Sequence, residues 1–155
     1  MHKFFLAATL LLSSCVDFPN HFAPSRARQP DVGPDPRRLK SFIEMKDGAA
    51  AAHFAWGVDP GAFDGEKRLA GAHAALRFNV SETSGNRLVV DYVSAQTQTL
   101  RIKLNGLTIA TLATQTPGHF EAPIDASQFV PGTATLVELE SETGLGLVRA
   151  GFLRR

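Results

Sequence analysis

Three carboxylates occur close together in one turn-rich segment of the chain. Asp59, Asp64 and Glu66 fall within eight positions, with glycine and proline between them. Calcium binds about six to eight oxygen atoms from carboxylates and backbone carbonyls, so the segment is a candidate structural calcium site. Tight turns use the same residue types, because aspartate accepts backbone hydrogen bonds and glycine tolerates unusual backbone angles. We prefer the turn interpretation and keep calcium as the alternative; no other cofactor is expected.

A second kind of chemistry, the binding of sugars, needs an aromatic ring beside planar hydrogen-bonding groups. The chain has one tryptophan, Trp56, and one tyrosine, Tyr92, against eleven phenylalanines. Both side chains combine a large apolar ring with a polar atom, and His53 lies just before Trp56. His53, Trp56 and Tyr92 are therefore the candidate ligand-binding residues. Each could equally belong to the core, and for Tyr92, in a strongly apolar segment, a core position is preferred.

The sequence contains no recognisable catalytic motif. It has no nucleophile elbow, no zinc-binding His-Glu-x-x-His, no phosphate loop and no dinucleotide fingerprint. The histidines at positions 21, 53, 73 and 119 are scattered, and no two have the close spacing of metal ligands. These observations predict a protein that is not an enzyme.

The N-terminal residues have the pattern of an export signal. Lys3 gives a positive start, and an almost unbroken apolar run follows over residues 4–12. This run is too short for a membrane-spanning helix, which needs about 20 apolar residues, and it fits the apolar core of a signal peptide. Leu12-Ser13-Ser14-Cys15 comes next, an aliphatic residue and two small ones before the only cysteine.

These four residues resemble the lipobox of bacterial lipoproteins. The resemblance implies cleavage before Cys15, a diacylglyceryl group on its thiol, and attachment to a membrane through this lipid. Val16 follows the cysteine, where an inner-membrane retention signal would usually have aspartate, so the resemblance favours the outer membrane facing the periplasm. The alternative is a signal cleaved at another small residue, with Cys15 an ordinary thiol.

Composition and charge suggest three regions. Residues 1–14 are the signal peptide, residues 15–40 a lipidated cysteine and a tether rich in proline and arginine, and residues 41–155 the folded domain. The formal net charge is +1, without the basic stripe of a nucleic-acid-binding protein, so no nucleic acid partner is expected. The lone cysteine cannot form a disulfide within the chain.

Beyond the tether, apolar and polar residues alternate with a period of two. Residues 73–80, 87–93, 100–104, 107–113, 120–124, 133–141 and 145–153 are predicted strands, and Asn105-Gly106 between two of them is typical of a hairpin turn. Short helices are considered only at 41–52 and 126–129. The pattern predicts an all-β fold, an antiparallel, jelly-roll-like β-sandwich of about eight strands.

Residues 53–153 resemble galactose-binding-like sandwich domains, which include many carbohydrate-binding modules. The resemblance lies in the hairpin Leu100-Arg-Ile-Lys-Leu-Asn-Gly-Leu-Thr-Ile-Ala-Thr-Leu112 and in the two strand segments after it, 118–125 and 131–140. It implies the fold and a carbohydrate ligand. Two functions follow as expectations: a non-catalytic binding module on the cell envelope, with a glycan as ligand, or a structural or assembly lipoprotein that binds another envelope protein.

Overall fold

The computed structural model describes residues 35–80, 86–130 and 132–154. Cys15, the predicted signal peptide and most of the predicted tether lie outside these residues. Within them there are nine strands: β1 (Phe42–Glu44), β2 (Phe54–Phe63), β3 (Arg68–Phe78), β4 (Arg87–Val93), β5 (Thr99–Leu104), β6 (Leu107–Ala113), β7 (Gly118–Pro123), β8 (Thr135–Glu140) and β9 (Leu145–Leu153). Three short 3₁₀ helices complete the elements, at Pro36–Arg38, Gly48–His53 and Ala126–Gln128.

The strands form one curled antiparallel sheet that folds over on itself as a sandwich. Their order is β6-β5-β8-β3-β9-β4-β7, with β1 paired to β9 and β2 paired to β3. Strand β3 joins the two layers, because residues 73–78 pair with β8 whereas residues 68–70 pair with β9. The all-β prediction is confirmed, with nine strands where about eight were expected.

The core lies between the two layers and follows the predicted alternation. Leu76 and Phe78 of β3 are fully buried, and so are Leu100 and Ile102 of β5. Phe152 of the other layer packs edge-on against Phe78, with ring centroids 5.8 Å apart. Burial of such apolar surface is the main term that stabilises a sandwich of this size.

The predicted hairpin turn is confirmed. Asn105 and Gly106 both have positive φ, 50° and 84°, and connect Leu104 to its cross-strand partner Leu107. Positive φ at both central residues is the geometry of a two-residue turn whose twist matches the flanking strands. Of the two candidate helices, 126–129 contains a single 3₁₀ turn.

Residues 41–52 form a strand and a 3₁₀ helix instead of one helix. Phe42–Glu44 is β1, which pairs with β9, and the segment beginning at Gly48 turns the chain toward β2. Ile43 and Met45 are buried, because this segment closes the core beside β9. Leu39 is buried as well; the domain boundary at residue 40 stays a prediction. No helix within the described ranges is long and apolar enough to cross a membrane.

Candidate ligand-binding surface

Two of the three carboxylates predicted as a calcium site, Asp59 and Asp64, accept hydrogen bonds within turns, and Glu66 contributes its backbone N–H to one of these bonds. An oxygen of Asp59 accepts a hydrogen bond from the backbone N–H of Gly61 at 2.8 Å. Asp64 accepts from the backbone N–H groups of Glu66 at 3.2 Å and Lys67 at 3.0 Å, and it forms an ion pair with the Lys67 ammonium group. The bond from that ammonium group, with the two backbone bonds, lowers the pKa of Asp64 to about 2.

The structure does not assemble these carboxylates into a metal site. No group of three or more histidine, cysteine, aspartate or glutamate side chains in the described part of the chain is arranged to hold a metal ion. One oxygen of Asp59 and one of Asp64 accept from backbone N–H groups of their own turns, and the other oxygen of Asp64 contacts the Lys67 ammonium group. The turn interpretation is therefore the one that the geometry supports.

The buried imidazole of His53 forms hydrogen bonds with two backbone segments, at Lys40 and at Arg77. Its ring is 1 % exposed and packs on Phe78 with centroids 5.5 Å apart. Nδ1 lies 2.7 Å from the carbonyl oxygen of Arg77, and Nε2 accepts a hydrogen bond from the Lys40 N–H at 3.3 Å. Burial lowers the pKa of His53, which matches a neutral ring that donates through one nitrogen and accepts through the other. Its side chain presents no surface to a ligand.

Tyr92 is also buried, at 1 % exposure. It pairs across the sheet with Gly118, and its ring covers the position where a side chain of residue 118 would lie. A Cβ atom there would come within 2.1 Å of the ring, so the ring and the glycine fit only together. Burial also raises the pKa of the Tyr92 hydroxyl. Tyr92 occupies the core position preferred above.

Trp56 is the one of the three candidate ligand-binding residues on the surface, 47 % exposed. It lies on β2 opposite Ala75, whereas Phe54 lies opposite Leu76, so the register shifts by one residue between Phe54 and Trp56. Without this bulge, residues 54 and 56 would point to the same side of the sheet. Phe54 packs against the core, and the bulge turns Trp56 to the outside.

Trp56 of β2 therefore lies beside the outer face of β3. We define this face as the residues directed away from the core, Leu69, Gly71, His73, Ala75 and Arg77, of which Ala75 is fully covered. The alternate residues of β3 at 70, 74, 76 and 78 are buried in the core. Leu69 and His73 are exposed. From Ala75 to Leu69 the strand rises by about 20 Å, which gives the outer face of β3 the length of an extended ligand.

A groove of about 870 Å³ opens at the Leu69 end of this face. Val93, Gly146 and Leu69 form a cross-strand row, in which Gly146 is buried because the Lys67 side chain covers it. Three further glycines line the groove: Gly57, Gly71 and Gly144. Polar groups lie beside this apolar floor, from Asp59, Lys67, Gln96 and Thr143.

Gln98 fixes the two loops that border the groove. Its side chain is 4 % exposed. Oε1 accepts from the backbone N–H groups of Glu142 and Thr143, both at 2.8 Å, and Nε2 donates to the Ser94 hydroxyl and the Gly144 carbonyl oxygen, both at 2.9 Å. One buried amide thus joins the loop after β4 to the turn between β8 and β9. Nothing in the local sequence distinguishes Gln98, because its partners lie up to 46 positions away.

A row of charged side chains crosses the outer face of the layer formed by β7, β4 and β9, to which Val93 and Gly146 of the groove also belong. His119, Asp91 and Arg149 are cross-strand neighbours on β7, β4 and β9. Nδ1 of His119 lies 2.5 Å from Asp91, and Nε2 lies 3.3 Å from Glu121. The hydrogen bond with Asp91 is the main cause of the raised pKa of His119. Both ring nitrogens face carboxylates, which is the geometry of an exposed ion network.

Comparison with known proteins gives no family for this chain. No family model and no curated protein matches it. Among solved structures, it is similar to an acetyl xylan esterase from Butyrivibrio proteoclasticus, with 13% identity and a TM-score of 0.43 over 74% of this chain and 32% of that one. It is also similar to a family GH115 4-O-methyl-alpha-glucuronidase with specificity for decorated arabinogalactans, with 13% identity and a TM-score of 0.44 over 77% and 18% of the two chains.

A third similar structure is the catalytic unit of a GH87 alpha-1,3-glucanase from Streptomyces thermodiastaticus. It has 15% identity and a TM-score of 0.41 over 74% of this chain and 26% of that one. The chain thus spans about a third or less of each of these three proteins. At this level of similarity, the matches carry no functional inference.

Proposed function

We propose that the chain is a lipid-anchored protein of the cell envelope whose β-sandwich is a non-catalytic module that binds a glycan. The anchor is the lipid on Cys15, and the location is the outer membrane facing the periplasm. The binding surface is the outer face of β3 with Trp56 at one end and the groove at the other. The observation that carries the proposal is the half-exposed ring of Trp56, whose neighbour in the chain, Gly57, lines the groove.

An exposed tryptophan needs a reason, because its large apolar ring is normally among the most buried surfaces of a protein. Here a bulge in β2 turns the ring outward, and bulges are common where a side chain is re-aimed at a binding site. The C–H face of a pyranose ring can stack on the indole, while its hydroxyl groups remain free for polar partners. Trp56 thus supplies the apolar half of a sugar site.

The groove supplies the polar half. Gly71 is exposed, and a Cβ atom there would meet only the backbone oxygen of Gly57 at 3.6 Å, so a ligand can approach the backbone at this point of the groove. Gln96 and Thr143 add an amide and a hydroxyl at the rim. Such neutral groups can donate to and accept from hydroxyls in either direction, as a neutral glycan requires.

The histidine and the carboxylates that the structure brings together do not line the groove, although Asp91 is two residues before Val93 on the same face of β4. His119, Asp91 and Glu121 are on β7 and β4, outside the groove lining. In the described part of the chain, neither nitrogen of His119 contacts a hydroxyl or a thiol that it could activate. This arrangement supports a binding module more than a hydrolase.

Replacing Trp56 by alanine tests the sugar site. We expect Trp56→Ala to abolish retardation by the bound polysaccharide in affinity electrophoresis and to lower the free energy of unfolding by about 1 kcal/mol, because half of the side chain is buried. Since Trp56 is the only tryptophan, its fluorescence should also shift when an oligosaccharide binds to the unmodified protein. Val130→Ala is the matched control, because Val130 is exposed at 58 % outside the outer face of β3 and the groove.

Two results would contradict this site. One is equal retardation of the Trp56→Ala and Val130→Ala proteins. The other is sugar binding that leaves the fluorescence of the unmodified protein unchanged. If a broad panel of envelope polysaccharides gives no binding at millimolar ligand, the alternative function gains: a structural or assembly lipoprotein whose partner is another envelope protein.

The lipid anchor has its own test, the intact mass of the protein extracted from bacterial membranes. We expect loss of residues 1–14 and a gain in mass of diacylglyceryl size or larger on Cys15. A Cys15→Ala variant should lack this gain and leave the membrane fraction, because an acyl chain holds a protein to a bilayer by about 0.8 kcal/mol per buried methylene group. An unmodified Cys15 in the membrane-extracted protein would remove the anchor from the proposal.

A further inference from the structure

Strand β6 has an open edge that is unlike the other edges of the sandwich. In the described part of the chain β6 pairs with β5 alone. It is seven residues long and contains neither a charged residue nor a proline, Leu-Thr-Ile-Ala-Thr-Leu-Ala. Native proteins normally protect such an edge with charges, prolines, bulges or short strands, because its free backbone groups can pair with another strand.

The other three edge strands carry these protections. Strand β1 has only three residues. Strand β2 contains Pro60 and has repeated shifts of register against β3. Strand β7 contains His119, Glu121 and Pro123. Strand β6 has a single irregularity, near Ile109, and is regular from Ala110 to Ala113.

The side chains of β6 that face the core are incompletely covered. Leu107, Ala110 and Leu112 lie opposite the buried Leu104, Ile102 and Leu100 of β5. Yet Leu107 is 60 % exposed, and Ile109, Ala110 and Leu112 are only partly buried against the core. Because no further strand pairs with β6 in the described part of the chain, its apolar side chains stay partly exposed. One more strand beside β6, with apolar residues on its inner side, would cover them.

The free backbone groups of β6 can be identified from the alternation of the hydrogen bonds. Thr114 donates its backbone N–H to the carbonyl oxygen of Gln98 at 2.8 Å, just beyond the paired strands. Because antiparallel strands direct every second residue at the partner, Leu112 and Ala110 also face β5. The backbone groups of Thr111 and Ala113 then face the open edge.

We propose that β6 pairs with β6 of a second copy of this chain, antiparallel, to form a two-fold dimer with one sheet running through both sandwiches. The side chains of β6 are compatible with an identical strand paired to it in the antiparallel direction. Its inner residues are apolar and would cover the same residues of the partner, and Thr108, Thr111 and Ala113 on the outer side are small and uncharged. The nearby cations Arg101 and Lys103 both contact Glu140, and Glu138 lies across from Lys103, so each copy brings two cations and two carboxylates to the neighbourhood of β6. This proposal uses a different strand from Trp56 and does not depend on the sugar site.

Single substitutions at Thr111 test the dimer. Proline removes the N–H that faces the open edge and is tolerated at such positions of a monomer. Glutamate lies opposite Arg101 in the monomer, but it puts a charge into the contact between copies. We expect both Thr111→Pro and Thr111→Glu to raise the dissociation constant of the dimer about tenfold or more. Thr111→Val keeps the N–H and the shape, so it should leave the dimer intact.

The measurement is sedimentation velocity of the full chain over a range of concentrations, in a Cys15→Ser background so that neither lipid nor thiol links two copies. Circular dichroism of each variant establishes that it is folded, and the glutamate variant serves if the proline variant is not. Loss of the dimer in Thr111→Pro or Thr111→Glu with retention in Thr111→Val would support the proposal. The proposal of a β6–β6 dimer would be overturned if the protein is monomeric at all concentrations, or if the dimer persists in both Thr111→Pro and Thr111→Glu. If the monomer instead binds another envelope protein through β6, that protein and not a second copy pairs with this edge.

Discussion

Replacing Gln98 by leucine is expected to lower the free energy of unfolding by about 3–5 kcal/mol, one of the largest effects of any single change in this chain. The side chain is buried and makes hydrogen bonds through both ends of its amide. Leucine has a similar size but offers no donor or acceptor. The N–H groups of Glu142 and Thr143 and the carbonyl oxygen of Gly144 would lose their partner together, and each poorly solvated group left unpaired costs about 1–3 kcal/mol.

The measurement is denaturant unfolding followed by circular dichroism, with hydrogen exchange at the amides of Glu142 and Thr143. These two amides should exchange much faster in Gln98→Leu, because their acceptor is gone. Gln115→Leu is the matched control, since Gln115 is exposed and the same substitution there should cost less than about 0.5 kcal/mol. Equal stability of the two variants would show that Gln98 does not hold the loops together.

Gln98→Leu should also lower the affinity of the proposed sugar site, although residue 98 does not contact the ligand there. Gln98 does not line the groove, but it connects the segment 94–96 with the turn at 142–144, which together form one side. A binding site on loops depends on the residues that fix those loops. We therefore expect the loss of affinity in Gln98→Leu to accompany faster exchange in both loops.

The strands that sequence predicts best are those with strict alternation between clear turns. Residues 87–93, 107–113 and 145–153 were predicted as strands and are β4, β6 and β9 with the same bounds. In β6 the Asn105-Gly106 turn fixes where the strand begins. In β4 the continuous apolar run reflects burial in a central strand between β7 and β9.

Strand β2 could not be predicted in the same way. Gly57, Pro60 and Gly61 interrupt its sequence, and each of these residues normally indicates a turn or an edge. The strand forms because it pairs with β3, and it accommodates the interruptions as shifts of register. In the described part of the chain its other side is unpaired, so these shifts disturb no second strand. Such shifts are tertiary events, so no local pattern reports them.

The same shift explains why the candidate site was predicted only in part. His53 and Trp56 are close in sequence, and both were named as ligand-binding residues. The 3₁₀ helix ends at His53 and the bulge follows at once, so one ring is in the core and the other in solvent. Sequence reasoning predicts neither the groove nor Gln98, because the groove arises where β2, β3, β4 and β9 meet and Gln98 contacts residues distant in the chain.

The last prediction concerns Gly57, the residue directly after Trp56. Its φ is +71°, and a Cβ atom at this position would lie 1.9 Å from the backbone oxygen of His73. The left-handed conformation costs a residue other than glycine about 1–2 kcal/mol, and the obstructing atom is backbone, which cannot rotate away as a side chain would. We expect Gly57→Ala to lower the free energy of unfolding by about 3 kcal/mol and to separate β2 from β3.

The control is Gly48→Ala, because a Cβ atom at residue 48 meets nothing within 4 Å and alanine restricts the unfolded chain more than glycine does. This variant should be as stable as the unmodified protein or slightly more so. In Gly57→Ala, the emission of Trp56 should also move to longer wavelength, because the ring loses its support on β3. If both alanine variants unfold at the same denaturant concentration, then the close contact of Gly57 with His73 is not what holds β2, and the position of Trp56 on the outer face of β3 must depend on its other neighbours.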